Sequence, residues 1–218
     1  MTQTIINWPY PIYSGEVGLN LSTLTRSSSN SLSGFSQVIG TGVSRWNFTM
    51  DFNTIHTQLI PMYRATLAKA DGRIGIFRIP VRDRFQPKPD ADGLPGRTRL
   101  FHSNGVPFSS GAGYQRMGVP IRASVEAGKN RFAASDTVLS FLYPGMFFGL
   151  GDDLHVCVAR EAGEIVFKPS ARRVHINRQI SLRPVLIARL IDDGSGALAL
   201  EMGRWGRPSI QFIEEVLP

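Results

Sequence analysis

Val43-Ser44-Arg45-Trp46-Asn47-Phe48-Thr49-Met50-Asp51 decides the fold class. The even positions Trp46, Phe48 and Met50 are apolar, while Arg45 and Asn47 are polar. That period of two is the mark of a half-buried strand.

Downstream, Ile55, Leu59, Met62, Thr66 and Leu67 fall on one face at helical spacing. Asn53 or Thr54 is a candidate cap for its start. Pro61 either lies in the first turn of this helix or kinks it. Asp71-Gly72 ends it with a turn, and Ile74 to Val81 reads as a strand. Residues 82–118 then hold Pro87, Pro89, Pro95, Pro107 and six glycines. They read as a long irregular surface insertion. From Val119 the strand pattern returns at Ile121–Glu126, Thr137–Phe141, Met146–Phe148, Leu154–Val158, Glu164–Phe167, Arg183–Ile191, Ala197–Glu201 and Ser209–Glu214. Turn signals separate them at Pro144-Gly145, Gly151-Asp152, Gly163 and Asp192-Asp193-Gly194.

The expected fold is therefore mainly β: β-sandwich or partly open barrel modules with one α-helix and a long irregular insertion. Three regions are expected. Residues 1–81 form an N-terminal β region with the helix, 82–118 the insertion, and 119–218 a C-terminal β module that packs alone or with 1–81. Upstream, Trp8, Tyr10 and Tyr13 alternate with Pro9 and Pro11 in an extended aromatic arm. Such an arm lies against its own domain or a neighbouring subunit. Removal of residues 1–13 is expected to weaken assembly while leaving the fold intact.

The whole chain agrees with this reading. It has 218 residues, with 22 Gly and 14 Pro, too much punctuation for a helical bundle. Net charge is +7, and the basic residues are 20 Arg against 4 Lys. Arg suits contacts with carboxylates and carbonyls on an acidic partner surface. The Arg residues are scattered, so charge alone does not mark a nucleic-acid site. Arg172, Arg173 and Arg178 form the densest basic stretch and lack interleaved aromatics. They read as a solvated edge or a salt-bridging subunit interface. Cys157, the single cysteine, sits in an apolar alternation and reads as a core residue. Residues 1–13 carry no leader pattern and no run approaches the roughly 20 apolar residues of a membrane helix. A soluble protein made in the cytoplasm, without a membrane partner, is expected.

No catalytic pattern emerges. There is no phosphate-binding loop and no Gly-x-Ser-x-Gly elbow. His56, His102, His155 and His175 have no metal-ligand spacing. Asp152-Asp153 and Asp192-Asp193 flank glycines and read as turn residues that cap their own backbone. The expectation is a protein that is not an enzyme, with no cofactor and no metal.

Two stretches resemble tail proteins of long-tailed phages and gene transfer agents. The first joins Arg45-Trp46, the helix, Ala70-Asp71-Gly72-Arg73, Gly75-Ile76-Phe77-Arg78 and Asp83-Arg84-Phe85. It is similar to a distal tail protein pattern, with Ile76 interrupting the Gly-Phe step. The second runs from Pro144-Gly145-Met146-Phe147-Phe148 through Leu154-His155-Val156 and Ile165-Val166-Phe167-Lys168-Pro169 to Arg172. It continues with Arg183-Pro184, Ala188-Arg189-Leu190-Ile191-Asp192-Asp193 and Glu214-Glu215. In it, Pro169-Ser170-Ala171-Arg172 stands where the family's pattern is usually Pro-Pro-Leu-Arg.

The resemblance implies a tail-tip, or baseplate, structural protein of the virion. It would form a homo-oligomeric ring, commonly a hexamer, between the tail tube protein and the tail hub protein, with DNA only as passing cargo. Trp8, Tyr10, Tyr13, Arg172, Arg173 and Arg178 are the expected oligomer or partner contacts. Two other roles remain open. One is another minor tail or hub protein. The other is a carbohydrate-binding β-sandwich for host attachment, in which Trp205, flanked by Gly203 and Gly206, would stack on a glycan. A wall hydrolase would need convergent acids or a metal triad, and the sequence displays neither.

Overall fold

The structure is a computed structural model that describes residues 5–9, 12, 16–27, 37–53, 55, 58–83, 85, 99–100, 114–115, 121–200 and 205–217. It is mainly β, as expected. The chain divides into two compact units, Met1–Pro80 with Leu186–Pro218, and Val81–Val185.

The first unit is built on β1 (Ile5–Asn7), β2 (Glu16–Ser27), β3 (Val38–Asp51), α1 (Ile60–Ala70) and β4 (Ile76–Pro80). A 3-10 turn, Gly72–Ile74, follows α1. The second unit contributes β5 (Arg99–Leu100), β6 (Tyr114–Gln115), β7 (Arg122–Val125), β8 (Arg131–Ala133), α2 (Asp136–Phe141), β9 (Phe147–Leu150), β10 (Asp153–Glu161), β11 (Glu164–Lys168) and β12 (His175–Ser181). The chain then returns to the first unit with β13 (Val185–Leu190) and β14 (Ser209–Glu214).

The first sheet has the order β1-β4-β13-β14-β3-β2. β1 pairs with β4 in parallel, whereas β13–β14, β14–β3 and β3–β2 are antiparallel. Trp46, Phe48 and Met50 of β3 are buried, as their alternation requires, and Ile210 and Phe212 of β14 lie beside them. Pro61 occupies the first turn of α1, where its missing N–H costs no helical bond. Asp71 ends the helix in a left-handed conformation, φ 50°. The Gly75 N–H then donates to the Ala70 carbonyl at 2.7 Å. A Cβ on Gly75 would lie 2.6 Å from Ala70 Cα, so only glycine lets the chain leave the helix this closely.

The second unit carries a sheet of order β7-β12-β9-β10-β11-β8, and β5 pairs separately with β6. Its core joins Phe132, Val138, Leu142, Phe148, Leu150, Cys157, Ile165, Phe167 and Ile180. The Phe132, Phe148 and Phe167 rings meet with centroids 5.8 to 6.1 Å apart. No helix among the described residues is long and apolar enough to cross a membrane.

Several expectations change. Residues 119–218 are not one module: β13 and β14 belong to the sheet begun by residues 1–80. The expected strand at Thr137–Phe141 is the short helix α2, which buries Val138, while Leu142, the residue just past its end, is buried four positions on. Residues 197–200 are not a strand. There the chain turns at Gly196, φ 84°, whose carbonyl accepts the Tyr63 hydroxyl at 2.8 Å. β8 and β12 are strands that the hydropathy pattern does not display. Most of the expected insertion 82–118 lies outside the described residues.

Candidate functional site

The first candidate site is a surface. β2 and β3 pair from Glu16↔Asp51 to Ser27↔Val38. At the base of this ribbon, β3 is covered by the unit's core. Farther out the cover stops: residues 22–27 and 37–43 are all exposed. Leu24, Val38, Ile39 and Val43 are each more than half exposed. A two-stranded ribbon with water on both faces is marginal by itself. The pairing is also irregular between Thr23 and Thr25, where residues 41–43 of β3 lie opposite Leu24 alone. Thr41 mends part of the ladder there, its hydroxyl donating to the Leu24 carbonyl at 2.7 Å.

The second candidate is a buried polar cluster in the second unit. Asp153 opens β10, His155 follows it by two residues on the same face, and His175 opens β12. All three are buried. Arg173 Nη2 donates to Asp153 Oδ1 at 3.0 Å, and its Nε lies 3.0 Å from Oδ2. His175 Nε2 lies 3.2 Å from the same Oδ2. His155 Nδ1 is 2.9 Å from the Pro169 carbonyl. Because a carbonyl only accepts, Nδ1 carries the proton and Nε2 is the lone-pair nitrogen. Among the described residues, that His155 Nε2 is buried without a hydrogen-bond partner.

Burial pushes the His155 imidazole down to about 4, against the pull of the Pro169 carbonyl and the Asp153 carboxylate. Burial also lowers His175, opposed by Asp153 and reinforced by the Arg173 and Arg178 guanidiniums. Both rings are neutral near pH 7. The Arg173 guanidinium occupies the carboxylate that a metal would need. Among the described residues, no group of three or more His, Cys, Asp or Glu is arranged to hold a metal ion. The cluster ties the 169–174 segment to β10, and Gly128 N–H to Ala171 O at 2.7 Å and Ala171 N–H to Lys129 O at 2.8 Å tie the same segment to the link between β7 and β8. Cys157, two residues beyond His155, is buried and its thiol is pushed up by that burial.

The residues expected to touch partners are dispersed. Trp8 is a core residue of its own unit, 6% exposed. Its ring lies 5.8 to 6.5 Å from those of Phe52, Tyr63, Phe77 and Phe212. Its Nε1 donates to the Ile12 carbonyl at 2.9 Å. This corrects its expected role at an interface: the indole is spent inside the fold. Tyr10 and Tyr13 lie outside the described residues. Arg173 is committed to Asp153, and Arg172 is half-buried. Arg178 is exposed, with its guanidinium packed over Gly151. Trp205 is 44% exposed beside Gly206, which bridges Ile55.

One member of each acidic pair has a distant partner. Asp153 pairs with Arg173, and Asp193 Oδ1 accepts the Arg73 N–H at 2.9 Å. Asp153 and Asp193 thus make contacts 20 and 120 residues away, beyond the adjacent-backbone capping expected of the pairs. Neither the exposure of the ribbon nor the His155 cluster was singled out as a site from the sequence. For the ribbon a signal existed: from Val17 to Met50 the only charged residues are Arg26 and Arg45, sparse for a solvated surface.

No protein-family model matches the chain, and no curated protein matches it.

Proposed function

We propose that this protein is a non-enzymatic structural component of a phage tail tip, a distal tail protein. Its copies form a ring, of hexameric order by the resemblance, between the tail tube protein and the tail hub protein. DNA passes through as cargo and is not read.

The observation that carries this reading is the outer half of the β2–β3 ribbon. It shows apolar side chains to water on both faces and gains nothing from its own core. Such an arm gains stability from a neighbouring subunit, and repeated heterologous contacts of one kind close into a ring. The arginine-rich composition suits the acidic faces of neighbours. Light scattering of the purified chain, followed by negative-stain electron microscopy, tests the proposal. Rings are the expected result. A monomer at every concentration, with no incorporation into tails on mixing with the tube and hub proteins, would sink it.

A second reading rests on Trp205. A tryptophan left 44% exposed beside a glycine is a stacking platform for a sugar ring. Glycan-array binding that disappears in Trp205→Ala would favour a host-attachment module.

A further inference from the structure

We propose that β2 is a self-complementary edge, through which two copies of this chain join across a two-fold axis. The inference rests on the homo-oligomeric part of the reading above, and adds a contact that a ring does not require.

β2 ends the first sheet, so no strand among the described residues pairs with its outer side. It is twelve residues long, Glu-Val-Gly-Leu-Asn-Leu-Ser-Thr-Leu-Thr-Arg-Ser from Glu16 to Ser27. At about 3.3 Å per residue it presents roughly 40 Å of open backbone. Natural edges this long are normally blunted by Lys, Pro or a bulge. β2 has neither Lys nor Pro. The irregularity in its pairing falls on β3, where residues 41–43 are the surplus.

The charge pattern identifies the occupant as a second copy. β2 has two charged residues, Glu16 and Arg26, of opposite sign and ten positions apart. An antiparallel pairing of β2 with itself about Leu21 sets Leu21 opposite Leu21. The same register sets Glu16 opposite Arg26 of the second copy, and Arg26 opposite its Glu16. Both charges are thereby matched, twice over. Leu19 faces Thr23 and Val17 faces Thr25 on one side of the joined sheet, and Asn20 faces Ser22 on the other. Cross-strand pairs of these types are favourable, whereas like charges set opposite each other are not. The contact is isologous, so it stops at two copies. Combined with a closed ring, it would stack two rings face to face.

Two experiments on the full chain decide this. Leu21→Cys, mildly oxidised, is expected to give a covalent dimer, because the register sets residue 21 against itself. Val17→Cys, which faces residue 25, is expected to give none, and Cys157 stays buried in both. Arg26→Glu is expected to weaken dimerisation about tenfold by setting Glu against Glu at both ends. The swap Glu16→Arg with Arg26→Glu is expected to restore it. Oligomers that form without Leu21→Cys cross-linking, and that ignore the charge swap, would overturn the β2 contact while leaving the ring standing. A wild-type chain that stays monomeric would overturn it outright.

Discussion

Arg173 grips Asp153 at both carboxylate oxygens, Nη2 to Oδ1 at 3.0 Å and Nε to Oδ2 at 3.0 Å. The carboxylate is nearly closed to water and the guanidinium is 40% exposed. Arg173→Ala would leave a buried carboxylate facing two neutral imidazoles. We expect a loss of about 2 kcal/mol in urea unfolding, below the range for fully buried pairs because water reaches the guanidinium. A loss under about 0.5 kcal/mol would show that water replaces the arginine without cost.

Acid should weaken the second unit. His155 titrates near 4 in the folded protein and near 6.5 when unfolded. Between those values the unfolded chain binds the extra proton, so stability falls as pH falls. The stabilisation is whole above pH 6.5 and lost on reaching pH 4, on the order of 3 kcal/mol. His175 is shifted in the same direction and adds to the slope. Urea midpoints at pH 7 and pH 4, for wild type and His155→Phe, measure this. An equal pH slope in both proteins would rule out His155 as its source.

The amino-terminal arm is part of the core. β1 pairs with β4 and Trp8 packs among four aromatic rings. Trp8→Ala should cost about 3–5 kcal/mol. Removing residues 1–13 should cost more, and the first unit should lose its near-ultraviolet circular dichroism. The core position of Trp8 and the pairing of β1 with β4 argue against the expectation that the arm is dispensable for folding. A truncated chain with an unchanged Tm would restore it.

Gly75→Ala should cost about 3 kcal/mol or more, because the obstacle is the Ala70 backbone and not a side chain that can swing aside. Thermal unfolding of the variant measures it. A shift below 2 °C would mean that the helix end yields easily.

Sequence legibility differed from element to element. β3 and β14 were legible because one face is core and the other is not, so the alternation survives in Trp46-Asn47-Phe48 and in Ile210-Gln211-Phe212. α1 was legible as a helix from Pro61 and the Asp71-Gly72 turn, but its buried face is Ile60, Tyr63, Thr66 and Ala70, not the Ile55, Leu59, Met62, Thr66 and Leu67 face that the spacing suggested. β12 was not, because its ladder slips between His175 and Arg178, and Asn177 there takes φ 48°. The slip changes which parity faces inward, so His175 and Ile180 are both buried five residues apart. Thr137–Phe141 misled because a six-residue helix is too short to display its period.

The candidate sites were less legible still. Trp8 reads the same whether it fills its own core or a neighbour's. Arg173 and Asp153 are 20 residues apart, and nothing local says that they meet. The exposed ribbon carries strand-forming residues whose burial cannot be read from their type.

The residues alone determined the β class, the presence of α1 and its end at Asp71-Gly72, and the core parity of the regular strands. Each depends on side-chain spacing and turn chemistry within a few residues. The start of α1 they left open, and it lies at Ile60 behind Leu59, not at Asn53 or Thr54. The tertiary structure alone decided that β13 and β14 rejoin the first sheet, that Trp8 turns inward, and that half of the β2–β3 ribbon is left in water. Those outcomes depend on which apolar faces find each other across a hundred residues or more, and burial of that kind is non-directional and leaves no local mark.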